Sequence, residues 1–196
     1  LIKLVEMVYN QQGKSFSNSK FKNSYIRELI RQFFHVNGIT RFLQLSLSND
    51  ITLLLADEKL QNIDENSIKY IEIKLEYADR IYKNLMNSMP KLPQIIKYFF
   101  TVIYKFALEN SKDQPDEARQ LIFWLFFDII VFPAFYNPKL FAIIPETSIS
   151  TRSPHLIMLT KIFYSNQAIL QKYPAIKDNN HFKSLNFTEI FDHLIN

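Results

Sequence analysis

Between Leu121 and Ile144 the chain reads LIFWLFFDIIVFPAFYNPKLFAII, an apolar helical run that breaks at a Pro-Ala-x-x-x-Pro element formed by Pro133, Ala134 and Pro138. A helix that is apolar all round has to be buried in the middle of something. The stretch from Leu121 to Tyr136 carries a single charge, Asp128, and is short of the roughly 18 to 20 uninterrupted apolar residues that a membrane span needs. It reads as the central helix of a soluble all-helical domain, ending at Pro133, with no transmembrane segment expected.

With 196 residues, 47% of them hydrophobic and 15% aromatic, the chain can bury a sizeable core. Gly13 and Gly38 are its only glycines, so the tight hairpins and phosphate-cradling turns of β and α/β folds have almost no material. The expected fold class is therefore all-α, an elongated multi-helix domain spanning 1–196, with residues 1–18 and 175–185 loosely held. Absence of cysteine removes disulfides and thiolate metal sites, and fits a reducing, cytoplasmic compartment. A start at Leu1, without Met or a signal-like opening, is expected of a piece cut from a longer protein. The net charge of +4 is spread along the chain rather than gathered in a stripe, so nucleic acid is not an expected partner.

Apolar periodicity and stop signals divide the chain further. A first helix is expected from Ser19 or Lys20 to Asn37, with Ile26, Leu29, Ile30, Phe33 and Phe34 on one face and Asn37-Gly38 as the stop. The next runs from Ile39 to Ala56 and is apolar at Phe42, Leu43, Leu45, Leu47, Ile51, Leu53, Leu54 and Leu55, with a candidate interruption at Asn49-Asp50. A third spans Ser67 to Met89, with Ile68, Ile71, Leu75, Ala78, Ile81, Tyr82 and Leu85 on one side, and Pro90 and Pro93 end it. A fourth begins at Pro93 and runs to Asn110, and the central helix begins near Pro115. Ser153-Pro154 opens another that Pro174 ends after Tyr173, and a last short one covers Phe187 to Ile195, with Asn186 and Glu189 as a capping pair.

Chemistry-bearing patterns are scarce. His35, His155, His181 and His193 stand far apart without metal-ligand spacing, so neither a metal nor another cofactor is expected. Acidic pairs such as Asp116-Glu117 sit at helix starts, where the helix dipole accounts for them. Asp128 is the exception: an unpaired carboxylate inside an apolar helix would cost several kcal/mol, so it meets a Lys or Arg, or it faces a partner-binding groove.

The order of elements resembles the Ras GTPase-activating (RasGAP) domain. Phe132-Pro133-Ala134-Phe135-Tyr136-Asn137-Pro138 is similar to the family's Cys-Pro-Ala-x-x-x-Pro segment, and Leu92-Pro93 opens a helix ahead of it. Phe21-Lys22-Asn23-Ser24 resembles the family's Phe-Arg-x-Asn-Ser loop, one residue shorter, and is followed by an amphipathic helix and by Phe42-Leu43-Gln44-Leu45-Ser46-Leu47. The stretches 42–62 and 137–144 look most like the endosomal proteins that join such a domain to a Rab exchange module. The resemblance covers residues 15–175.

It implies a Ras- or Rab-like small GTPase in its GTP form as partner, a role in signal transduction and endocytosis, and peripheral association with endosomal membranes through the parent protein. In the family an inserted arginine stabilises the hydrolysis transition state. Lys22 stands at that position here, with Arg27 and Arg31 on the following helix as substitutes if the register slips. The family's second arginine, which supports the finger loop, corresponds to Ile129, beside Asp128. The resemblance thus assigns charge to Lys22 or Arg27, and docking and support to Phe21, Asn23, Ser24, Arg31, Asp128, Ile129, Pro133, Ala134 and Pro138. A GTPase-binding or scaffolding module without catalytic arginine, and a helical interaction domain that binds no GTPase, are the alternatives.

Overall fold

Stop signals and apolar spacing place the helices where the sequence leads one to expect them. The structure, a computed structural model, describes residues 2, 3, 6, 25–64, 67–110, 115–145, 154–164, 177–183, 185 and 187–195, and every regular element among them is helical. They are α1 (Tyr25–Val36), α2 (Ile39–Ala56), α3 (Glu58–Gln61), α4 (Ile68–Ser88), a 3₁₀ turn (Met89–Lys91), α5 (Gln94–Asn110), α6 (Pro115–Phe126), a π-helical turn (Phe127–Val131), α7 (Phe132–Tyr136), α8 (Pro154–Tyr164), α9 (Asn180–Lys183) and α10 (Phe187–Ile195). The expected helix start at Ser19 or Lys20, the stop at Pro174, the cap at Asn186 and the tracts 7–18 and 165–176 lie outside the described residues. The fold class is all-α.

The chain divides into two compact units, the first made of residues 1–42, 89–133 and 188–196, the second of 43–88 and 134–187. In the first, α1 ends because Gly38 takes φ +88°, a left-handed conformation that costs glycine nothing. Asn37 adds a side-chain bond from Nδ2 to the Phe33 carbonyl at 2.7 Å. The core is an aromatic chain: Phe34 stacks on Phe100 at 5.5 Å, Phe100 meets Phe126 edge-on at 6.1 Å, and Phe126 meets Phe127 edge-on at 5.2 Å. All four rings are buried. Tyr104 of α5 packs edge-on against Phe191 of α10 at 4.9 Å, and the Thr101 hydroxyl donates to the Ile195 carbonyl at 3.2 Å.

The second unit is organised around α4, whose Ile71, Leu75, Ala78, Ile81, Tyr82 and Leu85 are buried as their spacing predicts. Ile68, expected on that face, is about half exposed in the first turn, where fewer neighbours reach it. Leu45 and Leu53 of α2 also point outward. The expected interruption at Asn49-Asp50 does not occur. Asp50, only 1% exposed, accepts from Arg80 Nη2 at 2.8 Å and from Asn84 Nδ2, so its carboxylate is satisfied by α4 rather than by its own backbone. Asp57 caps α3 by accepting from the Lys59 amide at 3.0 Å and takes the Tyr77 hydroxyl on its other oxygen, also at 3.0 Å. Tyr136 and Thr160 share a hydroxyl contact at 3.3 Å, and Phe135 packs on Phe163.

Two measurable consequences follow from these cores. Phe100→Ala removes the ring that joins Phe34 to Phe126 and should lower stability by about 3–5 kcal/mol in a denaturant titration. Burial, then the hydrogen bond and charge of Asp57, push the Tyr77 phenol from 10.0 up to about 12. Since the unfolded phenol ionises first, the contribution of Tyr77 to stability should be complete below about pH 10 and fade as pH rises toward 12. Ultraviolet titration should show a late-ionising tyrosine component that Tyr77→Phe removes.

Candidate functional site

Pro133 was expected to stop the central helix, and it does not. Proline has no N–H and its ring collides with the carbonyl four residues back, here that of Ile129. The backbone accommodates it by widening into the π turn Phe127–Val131, closed by a Phe132 N–H to Phe127 carbonyl bond five residues apart, after which α7 resumes. Counted through that turn, Asp116–Tyr136 is long and apolar enough to cross a membrane by length and composition, a threshold the uninterrupted-run count had placed it below. Of its most apolar 18-residue window, 72% is buried inside the protein, as for a core helix.

The π turn also decides where the next hydrogen bond must come from. In a five-residue register the donor to the Asp128 carbonyl would be residue 133, and Pro133 has no N–H to give. Arg27 of α1 supplies a donor: its Nη2 lies 2.8 Å from the Asp128 carbonyl oxygen, in a half-buried position. The sequence leads one to expect a Lys or Arg on the Asp128 carboxylate; the Arg27 bond goes instead to the main-chain carbonyl of that residue. From Leu121 to Phe135 the residues not fully buried are Phe123, Asp128 and Pro133, spaced by five, so Asp128 also lies on the accessible stripe of this otherwise buried rod. Phe123 stacks on the buried ring of Phe127 at 4.5 Å.

Arg31, one turn beyond Arg27, pairs with Glu28 at 2.6 Å, and Gln32 Nε2 holds the other oxygen of Glu28 at 2.9 Å. Both arginines of α1 are thus engaged within the first unit. Ile129, at the position that resembles the family's supporting arginine, is fully buried, and its side chain packs in the core. Ala134 and Pro138, in the second unit, are buried as well, and Pro133 is half-buried. Phe21, Lys22, Asn23 and Ser24 lie outside the described residues and immediately precede α1 in the chain.

A feature not anticipated from the sequence follows α7 in the second unit. Residues 137–144 form a compact turn in which the Ile143 amide donates to the Pro138 carbonyl at 2.8 Å and the Ala142 amide to the Lys139 carbonyl at 2.9 Å. Ala142 has φ +49°, a conformation that costs a non-glycine residue about 1–2 kcal/mol. Gln44 Nε2 donates to the Ala142 carbonyl at 3.2 Å, and Ser48 Oγ to the Ile143 carbonyl at 2.5 Å. The signal available was two polar residues one helical turn apart, Gln44 and Ser48, in a largely apolar helix.

The family model for GTPase-activator proteins of Ras-like GTPases matches residues 46–165, more than half of the chain. No curated protein and no solved structure matches it. The matched segment contains the rod, the π turn, Pro133, Ala134, Pro138 and the strained turn, and it begins after Lys22, Arg27 and Arg31. An all-helical chain with this rod and this match belongs to the RasGAP family of GTPase activators for Ras-like GTPases.

Proposed function

We propose that this domain binds a Ras-like small GTPase in its GTP form and speeds hydrolysis weakly, with Lys22 as the charge brought to the phosphates and Arg27 as a positioning residue. The observation that carries this reading is the bond from Arg27 to the Asp128 carbonyl. A guanidinium held on the rod supports the assignment of Arg27 to fixing the start of α1, the helix that follows Phe21–Ser24 in the chain. Lys22 then remains as the cation at the position resembling the family's finger. Lysine is a point charge without the planar fork, so it neutralises developing charge on the phosphates with less geometric control than arginine. Resemblance of 42–62 and 137–144 to the endosomal branch supports a Rab-linked GTPase and a cytoplasmic, peripheral endosomal setting.

A second reading is favoured by the same bond: with Arg27 engaged and lysine in the finger position, the domain binds the GTPase without accelerating it. Single-turnover GTP hydrolysis on a panel of Ras-type and Rab-type GTPases separates the two. Acceleration should fall short of the roughly 10³–10⁵ given by an arginine finger; Lys22→Ala should remove it while binding persists, and Lys22→Arg should raise it. Binding with no acceleration by either the wild type or Lys22→Arg would establish the second reading, and failure to bind any GTPase in either nucleotide state would end both. Arg27→Ala should cost about 1–3 kcal/mol of stability, since it removes a charged donor from a half-buried carbonyl, read as a lowered melting midpoint.

A further inference from the structure

A proline inside a helix takes away one main-chain donor, and the register decides which carbonyl goes without it. In an α register the amide missing at Pro133 would have served the Ile129 carbonyl, four residues back. In the π register of Phe127–Val131 it would have served the Asp128 carbonyl, five back. The Phe132 amide changes partner in the same step: it donates to the Phe127 carbonyl as the rod stands, and in an α register it would donate to Asp128. The carbonyl of Asp128 is therefore claimed by the Phe132 amide in one register and by Arg27 Nη2, at 2.8 Å, in the other.

We propose that Arg27 sets the register of the rod, so that the first turn of α1 and the backbone from Phe127 to Pro133 form a two-state device. The guanidinium comes from 101 positions away in the chain, so its placement is independent of the rod's own backbone. Helix α1 packs directly on the π turn, and both belong to the first unit. A helix passes a proline either by kinking or by taking in an extra residue. A charged donor from outside favours the register that leaves its carbonyl open, by roughly tenfold to a hundredfold, the worth of one such hydrogen bond. Phe127 and Phe132, both buried, pack ring to ring at 5.6 Å across the turn. A change of register has to repack them, which makes it a step between two arrangements rather than a gradual drift. A displacement of the first turn of α1 is thereby passed to the rod as a change of register, and the reverse. The device belongs to the folded chain alone and stands whether or not the domain speeds GTP hydrolysis.

Scalar couplings transmitted through hydrogen bonds identify the acceptor of an amide directly, and they can be measured on the isotope-labelled full chain. In the wild type the Phe132 nitrogen should couple to the Phe127 carbonyl carbon. Arg27→Met, which keeps an unbranched stem without the guanidinium, should shift the balance toward the Asp128 carbonyl carbon by roughly tenfold to a hundredfold, while couplings within α4 are unchanged. Arg27→Lys, a charged donor without the planar fork, should lie between the two and supplies the reading if the methionine variant does not fold. In Pro133→Ala the missing amide is restored and the α register is satisfied throughout. Coupling to Asp128 should then appear with Arg27 present, and the Arg27 guanidinium should rotate faster once that carbonyl is taken. Coupling that stays on Phe127 in both Arg27 variants overturns the proposal, as does loss of coupling to either carbonyl, which would mean a frayed turn instead of a second register. A guanidinium that rotates as slowly in Pro133→Ala as in the wild type overturns the link between α1 and the register.

Discussion

The carbonyl of Asp128 is the point on which the first unit turns. A proline five residues later cannot hydrogen-bond to it, a π turn carries the rod past that proline, and an arginine from another helix supplies a donor. These three facts form a single constraint: the Pro-Ala-x-x-x-Pro element prescribes a widened backbone, and the widened backbone prescribes a donor from outside the helix. Arg27 meets that demand, and in doing so it fixes the first turn of α1, the helix that follows Ser24 in the chain. The geometry of the rod and the start of α1 are therefore joined through one guanidinium.

Burial of the rod has a second consequence. A helix with Leu, Ile, Phe and Trp on every side passes a length-and-composition criterion for crossing a bilayer, yet Phe100, Phe42 and Phe127 surround Phe126 with aromatic edges and faces. Edge-to-face contacts of this kind add to the area removed from water and fix ring orientations. Phe123, Asp128 and Pro133 interrupt that enclosure at intervals of five, so that a single polar residue and the base of the π turn are reachable along an otherwise enclosed rod.

Much of this was legible in the sequence, for reasons that particular residues make clear. Gly38, Pro93 and the apolar spacing of Ile71, Leu75, Ala78, Ile81 and Leu85 act locally, and the helix edges they predict are the observed ones to within a residue or two. Pro133 misled because its local rule, that proline ends a helix, is overridden by a backbone rearrangement that no residue type announces. Asp50 misled in the same way: a polar pair in mid-helix reads as a break until Arg80 and Asn84, from a distant part of the chain, are seen to satisfy it. A cation was expected on the Asp128 carboxylate, whereas Arg27 bonds the main-chain carbonyl, an acceptor that no residue type announces. Gln44 and Ser48 stand one turn apart in the sequence, but what they bind was not legible, because main-chain carbonyls carry no sequence signature.

Phosphoryl transfer leaves a protein activator little covalent chemistry to perform; its contribution is charge and placement. A lysine in place of an arginine keeps the charge and surrenders the fork that helps to aim it. Placement must then come from the scaffold, and here polar side chains are spent on backbone: Arg27 on the Asp128 carbonyl in one unit, Gln44 and Ser48 on the carbonyls of Ala142 and Ile143 in the other. Each of these bonds fixes a segment that its own sequence would leave less defined, a helix interrupted by proline and a turn containing a left-handed alanine.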